Sequence, residues 1–508
     1  MNYYLGIDNG GTTIKAALYD RTGREIAVVS RKGKMIAPAP DITECDMDRM
    51  WEMNCEVIRG VLETSGISPE DIAGVAVCGH GKGLYLWGKN GRPVRNGILS
   101  MDNRAYAYVR KWQEDGTEDA VFALSCQHIM TCQPVALLAW LKDNEPEIIP
   151  EIQWIFECKD YTRFRLTGEA KAELTDYSGA NFVNLHTAEY DRELLGLFGL
   201  ADLYDALPPL IRSTDLAGYV TEEAAMECGL KAGTPVFGGM FDIDACAVAA
   251  GVLDEENICV IAGTWSINEY PRRTPVTDGS VRMNSYFCLP GYYLIEESSS
   301  TSAGNNEWFI NTLLPEAAEA AKQAGQSIYD VMNGWVSSLP PEEFVPLFLP
   351  FLMGSNVHPN AKGAFVGLSA SHTRAHLARS VYEGIVYCHL YHMEKLLATR
   401  DSAPGCVRLA GGAAKSEVWS QMFADILNLP VERVDVNETG ALGCAITAAA
   451  GCGDYPSLSE AAKTMSPSGS RLLPDENAHA CYMRRYALYK KLIDCLDPLW
   501  DDVLNCMS

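Results

Sequence analysis

At 508 residues the chain is too long for one ordinary core, so two large domains are expected. Its 47% hydrophobic and 21% charged residues are an ordinary globular balance and argue against extensive disorder. Forty-one Lys and Arg against 66 Asp and Glu give a net charge of −25, which argues against nonspecific binding to nucleic acid or anionic membrane but leaves room for an anionic ligand cradled by backbone amides.

The predicted elements begin at once. Tyr3–Ile7, Ile14–Tyr19 and Glu25–Val29 read as three short strands, and the polar Asp8-Asn9-Gly10-Gly11-Thr12-Thr13 reads as a hairpin tip. A helix is predicted over about 47–64, with Met47, Met50, Trp51, Asn54, Val57, Ile58, Val61 and Leu62 on one face, apolar except for Asn54, and Asp46 as its cap. A buried strand, Ile72–Val77, runs into the turn Gly79-His80-Gly81-Lys82-Gly83, and helical patterns fill much of 103–146 and 158–166. The second half reopens with a strand over Asn257–Ala262, a turn at Gly263-Thr264-Trp265-Ser266, a further strand, and another over Tyr292–Glu296. Both halves thus start with strands meeting at a Gly/Thr turn, which suggests a duplicated plan with a boundary near residue 250 and a cleft between the halves. The N-terminus lacks a basic-then-apolar leader pattern and no apolar run is long enough to span a membrane. The seventeen cysteines show no zinc spacing and read as small buried hydrophobes in a reducing compartment, so a cytoplasmic protein is expected.

Four places carry candidate chemistry. In Asp8–Lys15 the glycines let backbone N–H groups approach a phosphate, the Thr hydroxyls add donors, Lys15 adds charge and Asp8 offers a hard oxygen to Mg²⁺. It is neither a dinucleotide fingerprint nor a P-loop, and a plain Gly/Thr turn is the alternative. Gly263-Thr264 offers a second grip on phosphates, or an ordinary turn. Asp242 follows Gly238-Gly239-Met240-Phe241 and precedes a small apolar run, Ala245–Ala250, where a carboxylate can take the proton of a substrate hydroxyl. Asp242 or Asp244 serves equally well as a helix cap on this pattern. Gly411-Gly412-Ala413-Ala414-Lys415-Ser416 makes a flat shelf for an adenine ring, or a tightly packed strand-to-helix turn.

Taken in order, these pieces resemble the FGGY family of carbohydrate kinases along essentially the whole chain. The most specific match is Gly363-Ala364-Phe365-Val366-Gly367-Leu368, then seven residues, then His376-Leu377-Ala378-Arg379-Ser380-Val381-Tyr382-Glu383. A second family signature matches at Pro134, Trp140, Leu141 and Asn144 but departs at Cys132 and Leu137. The resemblance implies an α/β fold of two actin-like, ribonuclease-H-like domains, 1–250 for the sugar and 251–508 for the nucleotide, with a cleft between them. It implies an ATP-dependent kinase with Asp242 as catalytic base and Mg²⁺ at Asp8. Gly10, Gly11, Thr12, Thr13, Lys15, Gly263, Thr264, Gly304, Gly411, Gly412, Ala413 and Lys415 are placed on the nucleotide. His80, Lys82, Asp102, Arg104 and Asp242 are placed on the sugar, with Arg104 as an anchor for Asp102. The segments at Gly81–Leu84, Asn96–Ser100 and Trp112–Gly116 resemble those of family members acting on a ketopentose, L-xylulose first, which implies phosphorylation of its 5-hydroxyl. Other pentuloses and polyols (D-xylulose, ribulose, xylitol, erythritol, glycerol) stay open, as does a non-catalytic actin-like ATP switch. A homodimer is a family-level expectation.

Overall fold

The computed structural model describes residues 2–507 apart from Pro40, Asn356, Pro359 and Ser468. Two compact units emerge, and neither is one continuous stretch. The first comprises Met1–Leu253, Pro271–Ile295 and Glu438–Ser466; the second comprises Asp254–Tyr270, Glu296–Asn437 and Pro467–Ser508. The break at 253/254 is the first of several places where the chain passes from one unit to the other.

In the first unit, β1 (Tyr3–Asn9), β2 (Thr13–Asp20) and β3 (Glu25–Lys32) form an antiparallel meander. Their alternating apolar residues bury one face beneath α1 (Met47–Ser65), which carries Met50, Trp51, Val57, Ile58 and Val61 inward. The Asp46 carboxylate accepts from Arg49 N at 3.0 Å and caps α1, and Gly66, in the left-handed conformation, closes it. The strand β4 (Ile72–Gly79) then joins β1 in parallel, α2 (Cys158–Thr167) packs behind it, and β5 (Pro235–Phe237) and β6 (Met240–Phe241) pair in parallel with β4. The helix α3 (Asp242–Ala249) starts directly from β6.

The second unit repeats this plan. β7 (Ile258–Ala262), β8 (Ser266–Arg272) and β9 (Tyr293–Ser299) come first, followed by α4 (Ala303–Leu313), α5 (Arg374–Ala398), β10 (Val407–Gly411), α6 (Glu417–Leu427) and β11 (Val431–Arg433). The sheet order is β9-β8-β7-β10-β11, matching β3-β2-β1-β4-β5 of the first unit. In both sheets an antiparallel hairpin is extended by parallel strands.

One late helix returns to the first unit. α7 (Thr439–Gly451) lies on β1, β4 and α3 and is buried nearly throughout. Its backbone comes so near that a Cβ on Gly6 would stand 1.8 Å from Ala441 O, and one on Gly443 2.2 Å from Ala245 O. Glycine at those two positions is therefore a steric requirement.

Candidate active site

The parallel register brings three strand ends together. Asp8, Cys78 and Met240 are aligned across β1, β4 and β6, and so are Asn9, Gly79 and Phe241. Just beyond their carboxyl ends, where ligands of open α/β sheets bind, lie the Gly10–Thr13 tip, the His80–Gly83 turn and Asp242.

Asp242 is the first residue of α3 and is partly exposed. Phe241 occupies the cap position, so neither Asp242 nor Asp244 caps the helix. Asp244 turns inward, fully buried, and accepts from Cys288 N at 3.0 Å; burial pushes its carboxyl well above the usual carboxylate range. The peptide before Asp242 is held from beneath. Phe241 N donates to Thr175 Oγ1 (2.9 Å), Thr175 donates to Glu173 Oε2 (2.6 Å), and Glu173 also accepts from Ser213 Oγ (2.9 Å). Behind them Lys159, completely buried, pairs with Asp176 at 2.6 Å and Asp160 at 3.0 Å. Removing one partner from such a buried pair costs about 3–5 kcal/mol, so this cluster sets Asp242's backbone firmly.

On the other side of the strand ends, Asp8 faces Lys15 across the β1–β2 ladder, and Lys15 Nζ lies 2.6 Å from Glu438 Oε2. Burial raises the Asp8 carboxyl above its ordinary range; the Glu438 charge adds to this and Lys15 opposes it. Burial works against the Lys15 charge, but Asp8 and Glu438 outweigh it and hold the amine protonated. Lys15 thus directs its charge to Glu438, not solely to a ligand at the turn. Glu438, just before α7, and Gly440 are site-forming residues that the sequence reading did not single out. A Cβ on Gly440 would come within 2.8 Å of Asp8 Oδ2. Among the described residues no three His, Cys, Asp or Glu side chains converge on a metal position. Mg²⁺ arriving with a nucleotide takes one or two carboxylates plus phosphate oxygens, which the partly exposed Asp8 fits.

The sugar-side candidates divide. His80 is mostly buried and is kept neutral by burial, with Nε2 2.8 Å from Tyr85 Oη. Lys82 adopts φ 66°, a left-handed conformation rare for a side chain of this kind and costing about 1–2 kcal/mol, and its Nζ lies 5.3 Å from the centre of the Phe241 ring. Asp102 is entirely buried. Its oxygens accept from Thr43 N (2.7 Å), Arg104 N (3.0 Å), Arg104 Nε (2.8 Å) and Arg104 Nη2 (2.8 Å), which fills its lone pairs. Asp102 therefore offers no open acceptor in this conformation, a departure from its placement as a direct sugar contact. Arg104 anchors it and reaches on to Glu44 at 2.8 Å.

In the second unit the β7–β8 turn exposes Thr264, and Ala303 N donates to Gly263 O at 2.7 Å, joining this turn to the start of α4. Gly304 lies against it: a Cβ there would be 3.2 Å from Thr264 Cγ2 and 3.1 Å from Met353 Sδ. Gly411, at φ 85°, ends β10 beside Ala262, Gly412 and Lys415 are exposed, and Ala413 is buried. Beneath, His389 ties the start of β8 to the start of α4 through Ser266 Oγ (3.0 Å), Asn268 Oδ1 (2.8 Å) and Ser302 Oγ (3.0 Å), and burial keeps it neutral.

Duplicated ribonuclease-H-like sheets with acidic strand ends in one unit and a glycine-lined turn in the other define an actin-like phosphotransfer protein. The chain belongs to the FGGY family of carbohydrate kinases: the model of the family's N-terminal domain matches residues 3–249 and that of its C-terminal domain residues 258–452. It is 40% identical to the L-xylulose/3-keto-L-gulonate kinase of Escherichia coli K12 over 496 residues, 97% of each chain. It is 36% identical to a probable L-xylulose kinase of Haemophilus influenzae, covering 98% of this chain and 100% of that one. Its structure superposes on the xylulose kinase of Rhodospirillum rubrum with a TM-score of 0.85 at 26% identity, covering 98% of this chain and 100% of that one. No helix among the described residues is long and apolar enough to cross a membrane.

Proposed function

We propose that this kinase transfers the γ-phosphate of ATP to the 5-hydroxyl of L-xylulose. The observation that carries the mechanism is Asp242: partly exposed at the joined strand ends, with its preceding peptide fixed by Thr175. Support for the substrate comes from the Escherichia coli and Haemophilus influenzae relatives, whose names both carry L-xylulose.

In this reading Asp242 orients the acceptor hydroxyl and takes its proton as the new bond to phosphorus forms; a carboxylate suffices because the alcohol need not ionise beforehand. The Gly10–Thr13 and Gly263–Thr264 turns, with Gly304, present backbone N–H groups and hydroxyls to phosphate oxygens. Gly411 to Ala413 carry the adenosine, and Lys415 lies beside it. Mg²⁺, when bound, would neutralise phosphate charge, and Asp8 would hold it. His80, Lys82 and the Asp102–Arg104 pair shape the sugar side. A cytoplasmic location goes with this reading, supported by seventeen free cysteines, most of them buried.

The test is ADP release with a panel of both xyluloses, both ribuloses, xylitol, erythritol and glycerol. L-Xylulose should give the highest kcat/KM, with phosphate on its 5-oxygen. Steady ADP release indifferent to every sugar overturns the reading in favour of a nucleotide switch, and a clear preference for another acceptor replaces the substrate.

A further inference from the structure

The buried cluster behind Asp242 holds the carboxyl groups of Glu157, Asp160, Glu173, Asp176 and Asp244 but only two cations, Lys159 and Arg163. A site closed to water does not keep that many anions against two cations, so some of these acids carry protons. The hydrogen bonds single out one. Asp160 accepts from Arg163 Nη2 (2.6 Å), Lys159 Nζ (3.0 Å) and Glu173 N (3.0 Å), and Glu173 accepts from Thr175 and Ser213. Asp176 Oδ2 accepts from Lys159. Among the described residues no donor reaches either oxygen of Glu157, nor Asp176 Oδ1. Glu157 is nevertheless within hydrogen-bonding contact of Asp176, and burial and the Asp176 charge push its carboxyl well above the usual range. The titratable groups facing it are Lys159 and Asp160 of α2, Asp176 and Tyr177 of the short helix Leu174–Ser178, and Tyr190. None has a proton to give: Lys159 is taken by Asp160 and Asp176, Tyr177 donates to Ile155 O and Tyr190 to Pro208 O. Two acceptors in contact in a dry site need a proton between them, and Glu157 is left to supply it.

We propose that Glu157 is a positioning residue for the transfer: it stays a neutral carboxylic acid, donates its proton to Asp176 Oδ1, and so fixes the ground on which Asp242 stands. The route is short. A Cβ on Gly81 would stand 2.9 Å from Asp176 Oδ1 and 2.2 Å from the Phe241 ring, so Asp176, the sugar-side turn and the residue before Asp242 are wedged together. Without the proton two anions would face each other in contact, and their repulsion would drive Asp176 toward Gly81 and Phe241. The inference rests on Asp242 as the base, but the proton on Glu157 can be read without any substrate.

The experiment compares wild type, Glu157→Gln and Glu157→Leu by infrared spectroscopy at pH 8 and by turnover of the acceptor that the sugar panel ranks first. At that pH exposed carboxyls are ionised, so the carbonyl band of a protonated acid comes from buried groups. Wild type shows intensity in that band which Glu157→Gln lacks. The glutamine amide still donates to Asp176, so Glu157→Gln stays within about threefold of wild-type kcat. Leucine strands Asp176 Oδ1, and Glu157→Leu loses about 10- to 100-fold in kcat while the KM for ATP moves little. A protonated-acid band unchanged by Glu157→Gln, or a glutamine variant as slow as the leucine one, overturns the proposal. Should leucine prevent folding, the band and the kcat of Glu157→Gln decide, and a loss of more than about tenfold in that variant overturns it. A band that depends on Glu157, together with full turnover by Asp242→Asn, sustains the shared proton and removes the proposed function instead.

Discussion

The strand-end turn of the first unit and the corresponding turn of the second share a topology but are held by opposite means. The first is set among charges: Asp8, Lys15 and Glu438 surround the β1–β2 tip, and Lys159 with its carboxylates lies behind Asp242. At the second, His389, kept neutral by burial, joins Ser266, Asn268 and Ser302, one helical turn from the buried His392–Glu297 pair. Buried charges are costly and geometrically exacting, whereas a neutral network orients a loop without titrating.

The strongest challenge to that contrast is Asp242→Asn. It should keep binding of sugar and ATP by calorimetry yet lose roughly a thousandfold in turnover; retention of more than a few per cent of wild-type kcat would take the proton-accepting role from the first unit. Next is Lys15→Met, which leaves Asp8 and Glu438 without their shared counter-charge. A loss of ~2 kcal/mol in urea unfolding is expected, and an unchanged midpoint would make the ion pair incidental. For the neutral side, His389→Leu should raise the KM for ATP about tenfold, or ~1.4 kcal/mol, with the sugar KM little moved. His389→Gln, which can still donate and accept, should lie nearer to wild type. Parallel rises in both KM values would show that the network supports the whole fold and not the nucleotide turn.

The smallest effect concerns pH. Burial pushes Glu44 up, but the hydrogen bond from Arg104 and the charge of Arg95 outweigh it, so its carboxyl stays below its ordinary value of 4.5. The contribution of this pairing is complete above that value and is lost as pH falls through the lowered one. Glu44→Gln should therefore flatten the acid limb of the stability profile by ~1 kcal/mol, read from thermal melts between pH 3 and 6. An acid limb as steep as wild type would place the titration elsewhere.

Local pattern made the opening legible. Short apolar runs mark β1 and β2, the intervening glycines and threonines read as a hairpin tip, and Asp46 followed by an amphipathic stripe marks α1 to within a residue. The same logic failed for α7. Its Ala- and Gly-rich run is apolar on every face, so it shows no stripe, and Asn437-Glu438-Thr439-Gly440 did not stand out as part of a site. Asp242 and Asp244 were interchangeable as caps on spacing, because choosing between them needs the β6–β4 register and the position of Thr175.

The linear order of residues by itself determined the strands, the glycine turns and the family signature, since each depends on neighbours a few positions apart. Tertiary structure alone decided that Glu438 meets Lys15, that Thr43 N completes the donors on Asp102, and that Lys82 lies on Phe241. Those pairings join positions as many as 423 residues apart. Charge and hydrogen bonding act over a few ångströms of space, and sequence separation carries no measure of that distance.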